Sequence, residues 1–388
     1  MFSIWRNVLV NSLLVVVSLT VSYLVFSLVT FRVILPHWQL TVRPYFTGTV
    51  DLLVQNSKAG YLPQDYIAIL GDSNAEGHGD WLLSAKGNRA NAFHSAHILH
   101  DLTGRDVISL GRGGAGSAQA MVRQPTRVLG AKNCIFFPAL EAPKQFLVYF
   151  YEGNDLEDNL QVIDRVMAGT SGEVRATVSD YVEERYAANP WYHCMGHFWV
   201  TVYKAVKFAI EYRDPPPAVT SAYDKLVTAR GIEPGPPLDI PPVDMDATHT
   251  ELALWLFDYS LASLQRNFPT AIVTMVYLPS GASLYRHAGP WVAAHRGTFS
   301  TEQIYISSQQ TCEKIRALSL ARDVRFIDTR SFLRAAAAER AIHGPRDWIH
   351  FNEAGYRVLG EGLARMLDDR ASTPCRDWVD SAPDKKSF

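Results

Sequence analysis

The 388-residue chain has little of several features that define common protein classes. It has no excess of basic charge, since 37 Lys and Arg residues face 39 Asp and Glu residues, and this balance argues against a nucleic-acid partner. Cysteine is scarce, and the four cysteines lie too far apart for a zinc knuckle or a Cys-x-x-Cys redox pair. An even count fits two disulfides in an oxidising compartment, and it equally fits four buried thiols in a reducing one. The cysteines are Cys134, Cys194, Cys312 and Cys375.

Charge is absent from the 24 residues between Val8 and Phe31. As a helix this run would be about 36 Å long, which is enough to cross a bilayer. It is too long for a cleaved signal peptide, and no small-x-small cleavage site follows it. The sequence therefore predicts a transmembrane anchor within residues 1–36. Arginines flank the run on both sides, so the positive-inside rule does not fix its orientation.

The remaining sequence, residues 37–388, is rich enough in apolar residues to bury a core, and short apolar runs alternate with helical patterns. Four apolar residues, Ile67 to Leu70, lead into Gly71-Asp72-Ser73. This pattern predicts a buried strand that ends in a turn and presents the Ser73 hydroxyl. Alone it is a weak signal, because Gly-Asp-Ser is a common tripeptide.

Three further blocks have the same character. Residues 107–110 form a short apolar run before the glycine-rich turn 111–117, which contains Gly114. Residues 146–151 precede Glu152-Gly153-Asn154-Asp155, and Asp347-Trp348-Ile349-His350 precedes a helical pattern. Each block is predicted to lie at a strand end or helix start. We therefore expect all four blocks to meet at one edge of a parallel sheet, where open α/β folds bind their ligands.

In these blocks the sequence resembles the SGNH hydrolases, also called GDSL esterases and lipases. The resemblance covers residues 64–160 and 250–370 in the family's order. It implies a flavodoxin-like, three-layer α/β/α fold with a parallel central sheet. It also implies that Ser73 is the nucleophile and that the Ser73 amide, the Gly114 amide and the Asn154 side chain form the oxyanion hole. The sequence departs from the family at Glu152, where a glycine is usual.

The expected chemistry also follows from the residue types. A serine hydroxyl is a weak nucleophile at neutral pH and needs a general base that a third group orients. His350 supplies the base, and Asp347, three residues earlier, can hold its other ring nitrogen. Asp72 and Asp155 are expected to brace turns instead of reacting. This mechanism requires no cofactor and no metal ion.

Between the third block and the fourth, about 161–246 exceeds what regular α/β units require, and we interpret it as a helical and loop insertion. Residues 193–213 form an apolar and basic helical pattern that suits either packing on the main domain or an amphipathic contact with a membrane or partner. Residues 214–242 are rich in proline and predict an irregular loop over the surface, near or over the site.

A helix over about residues 90–102 carries His94, His97 and His100 at a spacing that can bind metal. No carboxylate or cysteine completes a ligand set at matching spacing. We therefore interpret this segment as an ordinary helix that packs behind the site.

The predicted function is a membrane-anchored serine esterase that acts on acyl esters, above all O-acetyl esters, of carbohydrate outside the cytoplasm. An O-acetyltransferase that decorates a cell-surface polysaccharide, with a membrane acyl-donor protein as partner, would use the same residues. The sequence is also compatible with a lipase or lysophospholipase, and with a non-catalytic glycan-binding subunit. The extracytoplasmic location and the carbohydrate substrate follow from the resemblance to single-anchor members of the family.

Overall fold

The computed structural model describes residues 2–34, 52, 55–85, 94–126, 140–170, 172–187, 210, 217–218 and 224–376. Cys134, Cys194 and the predicted amphipathic segment 193–213 lie outside this description, apart from residue 210 in that segment.

The chain begins with helix α1, Phe2–Val29, which continues as a π-helical turn, Thr30–Ile34. Within α1, the segment Trp5–Val29 has a mean hydropathy of 2.3 and lies almost wholly outside the packed interior, with 6% of its most apolar window buried. By length and composition it can cross a membrane. A signal sequence meets the same criterion.

Five short strands form the central sheet. They are rich in apolar residues because helices cover both faces of a parallel sheet and bury its strands. They are β1, Ile67–Leu70; β2, Val107–Ser109; β3, Gln145–Tyr151; β6, Ile272–Leu278; and β10, Arg325–Asp328. All neighbouring pairs are parallel, and the order is β10-β6-β3-β1-β2. This order is flavodoxin-like, with β1 and β3 at the point where the chain reverses its direction across the sheet. The predicted α/β fold with a parallel central sheet is confirmed.

Helices cover both faces of this sheet. Strand residues alternate between two apolar clusters, so that Ala68 and Leu70 join one face while Ile67 and Ile69 join the other. The first face packs against α7, Ala247–Asn267, and α9, Thr301–Ala321. The second face packs against three helices: α4, Ser95–Thr103; α10, Arg330–Glu339; and α11, Glu353–Met366.

The short helices α2, Ser73–Glu76, and α3, Asp80–Ser84, follow β1. After β2 the chain forms a π-helical turn, Gln119–Arg123. Helix α5, Asp155–Met167, follows β3 and packs with α6, Val174–Val182.

The insertion differs in part from its prediction. Residues 161–167 belong to α5, and the segment predicted as an irregular loop contains β4, Asp224–Thr228, and β5, Gly231–Gly235. These strands pair antiparallel and form a small sheet with β7, Arg286–His287. A second hairpin, β8, Trp291–Ala294, with β9, Gly297–Ser300, follows the short helix α8, Gly281–Leu284. The prolines of this segment indicated a loop. Proline is tolerated in an edge strand, however, and β5 is an edge strand of the small sheet, so the hairpin can form.

One disulfide, Cys312–Cys375, joins α9 to the segment that follows α11. Of the two states that the cysteine count allows, this pair is in the oxidised one. The remaining two cysteines lie outside the described part of the chain.

Candidate active site

Ser73 is the first residue of α2 and lies at the carboxyl end of β1. Gly71 turns the chain there with a φ of 144°, a conformation that favours glycine. The Asp72 carboxylate caps α2 by accepting a hydrogen bond from the Asn74 amide at 2.8 Å. The turn and the cap together present the Ser73 side chain, which is half-buried, at the edge of the sheet.

His350 and Asp347 join Ser73 in a continuous chain of hydrogen bonds. The distance from His350 Nε2 to Ser73 Oγ is 2.8 Å, and that from His350 Nδ1 to Asp347 Oδ2 is 2.7 Å. The other Asp347 oxygen accepts hydrogen bonds from the Ile349 and His350 amides at 3.0 and 3.1 Å. Asp347 is therefore fixed by the backbone of its own turn. The three residues that the sequence predicted as a triad are 277 positions apart at most and converge here.

The protonation states suit a general base. Burial opposes charge on the His350 ring, but the hydrogen bond and negative charge of Asp347 outweigh it and raise the pKa of His350. Burial would likewise raise the pKa of Asp347, but the hydrogen bond to His350 and the imidazolium charge hold it below its usual value. Asp347 therefore stays ionised and orients the imidazole, whose Nε2 faces the serine hydroxyl.

The turn that carries Asp347 and His350 is attached to α3 by one arginine. The Arg346 amide donates to Asp80 Oδ1 at 2.7 Å, and its guanidinium donates to Oδ1 at 3.2 Å and Oδ2 at 3.1 Å. A fork-shaped pair of this kind fixes direction as well as distance. Because α3 follows α2 closely in sequence, His350 is held against the same segment that carries Ser73.

The glycine-rich turn after β2 lies directly against α2. A Cβ at Gly111 would lie 2.3 Å from the Glu76 amide nitrogen, so only glycine permits this approach. The Gly113 amide donates to Glu76 Oε2 at 2.7 Å, and the same oxygen lies 3.1 Å from His78 Nε2. Gly114 follows with a φ of 67° and is exposed, with open space around it. Among the described residues its amide has no backbone hydrogen-bond partner.

Asn154 ends the turn after β3 and occupies the N-cap position of α5, yet its side chain makes no capping bond. Its Oδ1 is buried without a hydrogen-bond partner among the described residues. Asp155 braces the turn by accepting the Tyr151 amide on Oδ2 at 2.9 Å. Asn154 is thus held by its backbone while its amide group is not engaged within the described structure.

Glu152, the departure from the family pattern, has a structural explanation. Its carboxylate is buried and accepts hydrogen bonds from the Ser280 amide at 2.9 Å and from the Ser308 hydroxyl at 2.7 Å. Further donors are the hydroxyls of Tyr277, Ser280 and Ser283. A buried carboxylate requires such a set of partners. Glu152 therefore ties the third block to the exit of β6 and to α9.

The three histidines at the N-cap of α4 and within α4 have different surroundings. The His94 ring caps α4 by accepting from the Ala96 amide, and His100 Nδ1 lies 2.8 Å from the Arg105 carbonyl. His97 is buried, and burial lowers its pKa to about 4, which keeps the ring neutral. Among the described residues, one group of potential metal ligands lies close together, namely Cys312, Asp328 and Cys375. Its two sulfurs are joined in the disulfide and cannot ligate as thiolates.

Two side chains near the site were not predicted. Asp239, at the end of the insertion, has an electrostatic effect on His350, and His295 of the β8–β9 turn lies beside it. The composition of the insertion indicated a surface segment but not which side chain it would bring to the site.

Comparisons with known proteins find structural similarity alone. No protein-family model and no curated protein sequence matches the chain. The structure is similar to phospholipase A1 from Streptomyces albidoflavus NA297, with 14% identity, a TM-score of 0.40 and coverage of 79% of this chain and 98% of that one. It is similar to an extracellular lipase from Streptomyces rimosus, with 13% identity, a TM-score of 0.39 and coverage of 76% and 98%. A carbohydrate acetylesterase family member from Sinorhizobium meliloti shares 14% identity, with a TM-score of 0.31 and coverage of 78% and 97%. All three names denote carboxylic ester hydrolases.

Proposed function

We propose that the protein is a serine esterase in which Ser73 attacks an acyl ester, His350 is the general base and Asp347 orients it. The observation that carries this proposal is the continuous hydrogen-bonded chain from Ser73 through His350 to Asp347 at the carboxyl edge of β1. Such a chain activates a hydroxyl that would otherwise be a weak nucleophile. The proposed reaction forms an acyl-enzyme on Ser73 Oγ and releases the alcohol, which takes its proton from His350.

The oxyanion formed in this step would be stabilised by the Ser73 amide, the Gly114 amide and the Asn154 side chain. The glycine-rich turn lies against α2, since a Cβ at Gly113 would be 3.8 Å from Ser73 Cβ. Asn154 stands at the neighbouring strand end and would donate through Nδ2, while its Oδ1 is buried without a hydrogen-bond partner among the described residues. Each preorganised donor of this kind contributes about 3 to 4 kcal/mol to transition-state stabilisation.

We propose a carbohydrate as the alcohol part of the substrate, with acetyl as the acyl group. The surroundings of the site are polar, with Asp239, His295 and Glu157 on one side. A long acyl chain would be stabilised by apolar walls instead. This contrast supports a carbohydrate over a lipid substrate.

We propose further that α1 anchors the enzyme in a membrane with its catalytic domain, residues 37–388, outside the cytoplasm. The apolar length of Trp5–Val29 supports the anchor. The Cys312–Cys375 disulfide supports an oxidising compartment, because cytosolic reductants keep such pairs reduced.

Covalent labelling with a fluorophosphonate tests the nucleophile. The wild-type protein is expected to be labelled and Ser73→Ala is not, while both melt at nearly the same temperature because the hydroxyl is half-buried and bonded only within the site. Ser117→Ala is the control variant, since that hydroxyl lies at the end of the glycine-rich turn but bonds to Asn159. Persistent labelling of Ser73→Ala would exclude Ser73.

Transfer of the acyl group to a sugar hydroxyl is a second possible reaction. The same triad would serve whether water or an alcohol accepts the acyl group from Ser73. A fragment that begins near His37 is given 4-nitrophenyl acetate with and without oligosaccharides. Release of acetate at one rate in all mixtures identifies an esterase. Faster turnover with acetylated sugar as product identifies an O-acetyltransferase, for which a membrane acyl-donor protein would be the natural partner.

A further inference from the structure

Asp239 reaches the site from the insertion, and the backbone on both sides of its side chain is fixed. The Leu238 amide donates to the Ala293 carbonyl at 3.1 Å, and the Ala282 amide donates to the Asp239 carbonyl at 3.0 Å. The segment is therefore attached to the β8–β9 hairpin and to α8. These long-range bonds fix the backbone that carries the Asp239 carboxylate.

The carboxylate itself lies between the third block and the hairpin turn. The Tyr151 hydroxyl donates to Asp239 Oδ2 at 3.2 Å, and that hydroxyl lies under the turn that carries Asn154, 2.9 Å from where a Cβ of Gly153 would be. Asp239 Oδ1 lies 3.8 Å from His295 Nε2. The Asp239 side chain is 19% exposed and that of His295 is 51% exposed, so both can be reached from solvent.

Charge connects Asp239 with the catalytic base. Burial raises the pKa of Asp239, whereas the charges of His295 and His350 act in the opposite direction. Asp239 in turn belongs to the carboxylates that raise the pKa of His350, after Asp347 and Asp72. Asp239 is therefore within electrostatic range of the reacting centre, although it makes no hydrogen bond to the triad.

Arg296, which follows His295 in the β8–β9 turn, is held by ion pairs. Arg296 pairs with Glu157 in the first turn of α5 and lies 4.0 Å from Asp244. This pairing holds the hairpin turn over the start of the helix that Asn154 begins. It leaves His295 as the turn's exposed hydrogen-bonding ring next to the Asp239 acceptor.

We propose that Asp239 and His295 form a subsite that binds a hydroxyl group of the sugar to which the acyl group is attached. A sugar hydroxyl both donates and accepts, so it can donate to the Asp239 carboxylate while it accepts from the His295 ring. An anionic headgroup would be repelled by Asp239 and Glu157. The inference rests on the proposed esterase function and specifies its substrate class.

The test compares two esters, a mono-O-acetylated hexose and 4-nitrophenyl acetate, which has no sugar hydroxyl. For Asp239→Ala we expect the ratio of kcat/KM for the hexose ester to kcat/KM for the nitrophenyl ester to fall about 10- to 100-fold, as the loss of a hydrogen bond to a charged group does. His295→Ala is expected to lower the same ratio. Asp244→Asn is the control, because it removes a negative charge from the same segment without contact with the subsite.

The pH profile gives a second measurement. Because Asp239 favours the charged form of His350, Asp239→Asn should lower the pKa of His350 and shift the acid limb of kcat/KM to lower pH with both esters. A role in folding alone would not move this limb. Fluorophosphonate labelling and the melting temperature confirm that each variant has folded.

Failure of the subsite and failure of the esterase function are distinguishable. If Asp239→Ala lowers both kcat/KM values equally, or if the wild type hydrolyses nitrophenyl acetate but not the hexose ester, the subsite is overturned while Ser73 stands. If the wild type is not labelled and hydrolyses neither ester, the proposed function itself is wrong.

Discussion

Two carboxylates lie near Ser73, the half-buried Asp347 and the buried Asp72, and they have different roles. Asp347 bonds to the His350 ring, whereas Asp72 is turned toward the Asn74 amide and caps α2. Burial raises the pKa of Asp72, and the Asn74 amide and the His350 charge oppose that effect. Asp347 therefore holds the His350 ring directly, whereas Asp72 shapes the turn and acts on His350 through its charge alone.

We expect Asn154→Ala to lower kcat about 10²- to 10³-fold with little change in KM, because an oxyanion donor acts in the transition state and not on the bound ester. Steady-state kinetics with 4-nitrophenyl acetate measure the effect. Gln161→Ala, an exposed change on the same helix, is the control. An unchanged kcat in Asn154→Ala would remove this residue from the oxyanion hole.

The pH dependence follows from the direction of the His350 shift. The base must be neutral to accept the serine proton, and its pKa lies above the ordinary value of 6.5. Activity should therefore rise with pH through a midpoint above 6.5 and decline below it as the imidazolium forms. A kcat/KM profile with its acid midpoint below 6.5 would contradict the hydrogen-bonded geometry.

At the scale of elements, the site depends on four separate chain segments that meet at the β1 and β3 ends. The sequence predicted these segments because each has a local signature: three are apolar runs followed by a turn that contains glycine or asparagine, and the fourth is an Asp-x-x-His run before a helix. It did not predict the β4–β5 and β8–β9 hairpins or the place of Asp239, because long-range bonds such as that between Leu238 and Ala293 determine them. The partners of Glu152 likewise come from α8 and α9, far along the chain.

Arg346 links the turn that carries His350 to α3. Its replacement should therefore disturb the position of this turn more than it disturbs the rest of the fold. We expect Arg346→Lys to lower kcat about 10- to 100-fold, because an ammonium group cannot make the forked pair with Asp80 and the His350 ring loses its alignment with Ser73. Arg357→Lys is the matched control, since Arg357 pairs with Glu353 on the exposed side of α11. Equal activity of the two variants would show that Arg346 does not position the turn.

At the scale of the whole molecule, α1 and the catalytic sheet make opposite demands on their surroundings. Most side chains of Trp5–Val29 are apolar and exposed, an arrangement that a lipid bilayer favours over water, whereas the site carries ionised groups that need water or a polar substrate. The proposed membrane anchor beside an exposed domain would satisfy both requirements.

The proposed topology is tested by reporters fused after Phe388. We expect a phosphatase that requires disulfides to be active in this fusion and a cytoplasmic fluorescent protein to be dark, because the C-terminus would lie in an oxidising compartment. Fluorescence together with an inactive phosphatase would place the domain in the cytoplasm.

The proposed mechanism requires Ser73 to carry the acyl group during turnover. The most direct test is to mix the soluble fragment with 4-nitrophenyl acetate, stop the reaction with acid and determine the mass of the peptide that contains Ser73. We predict an added acetyl group on Ser73 in the wild type and none on the same peptide of Ser73→Ala or His350→Ala. Turnover of the ester with an acetyl group on another residue, or with no acetylated peptide in any quenched sample, would contradict a Ser73 acyl-enzyme.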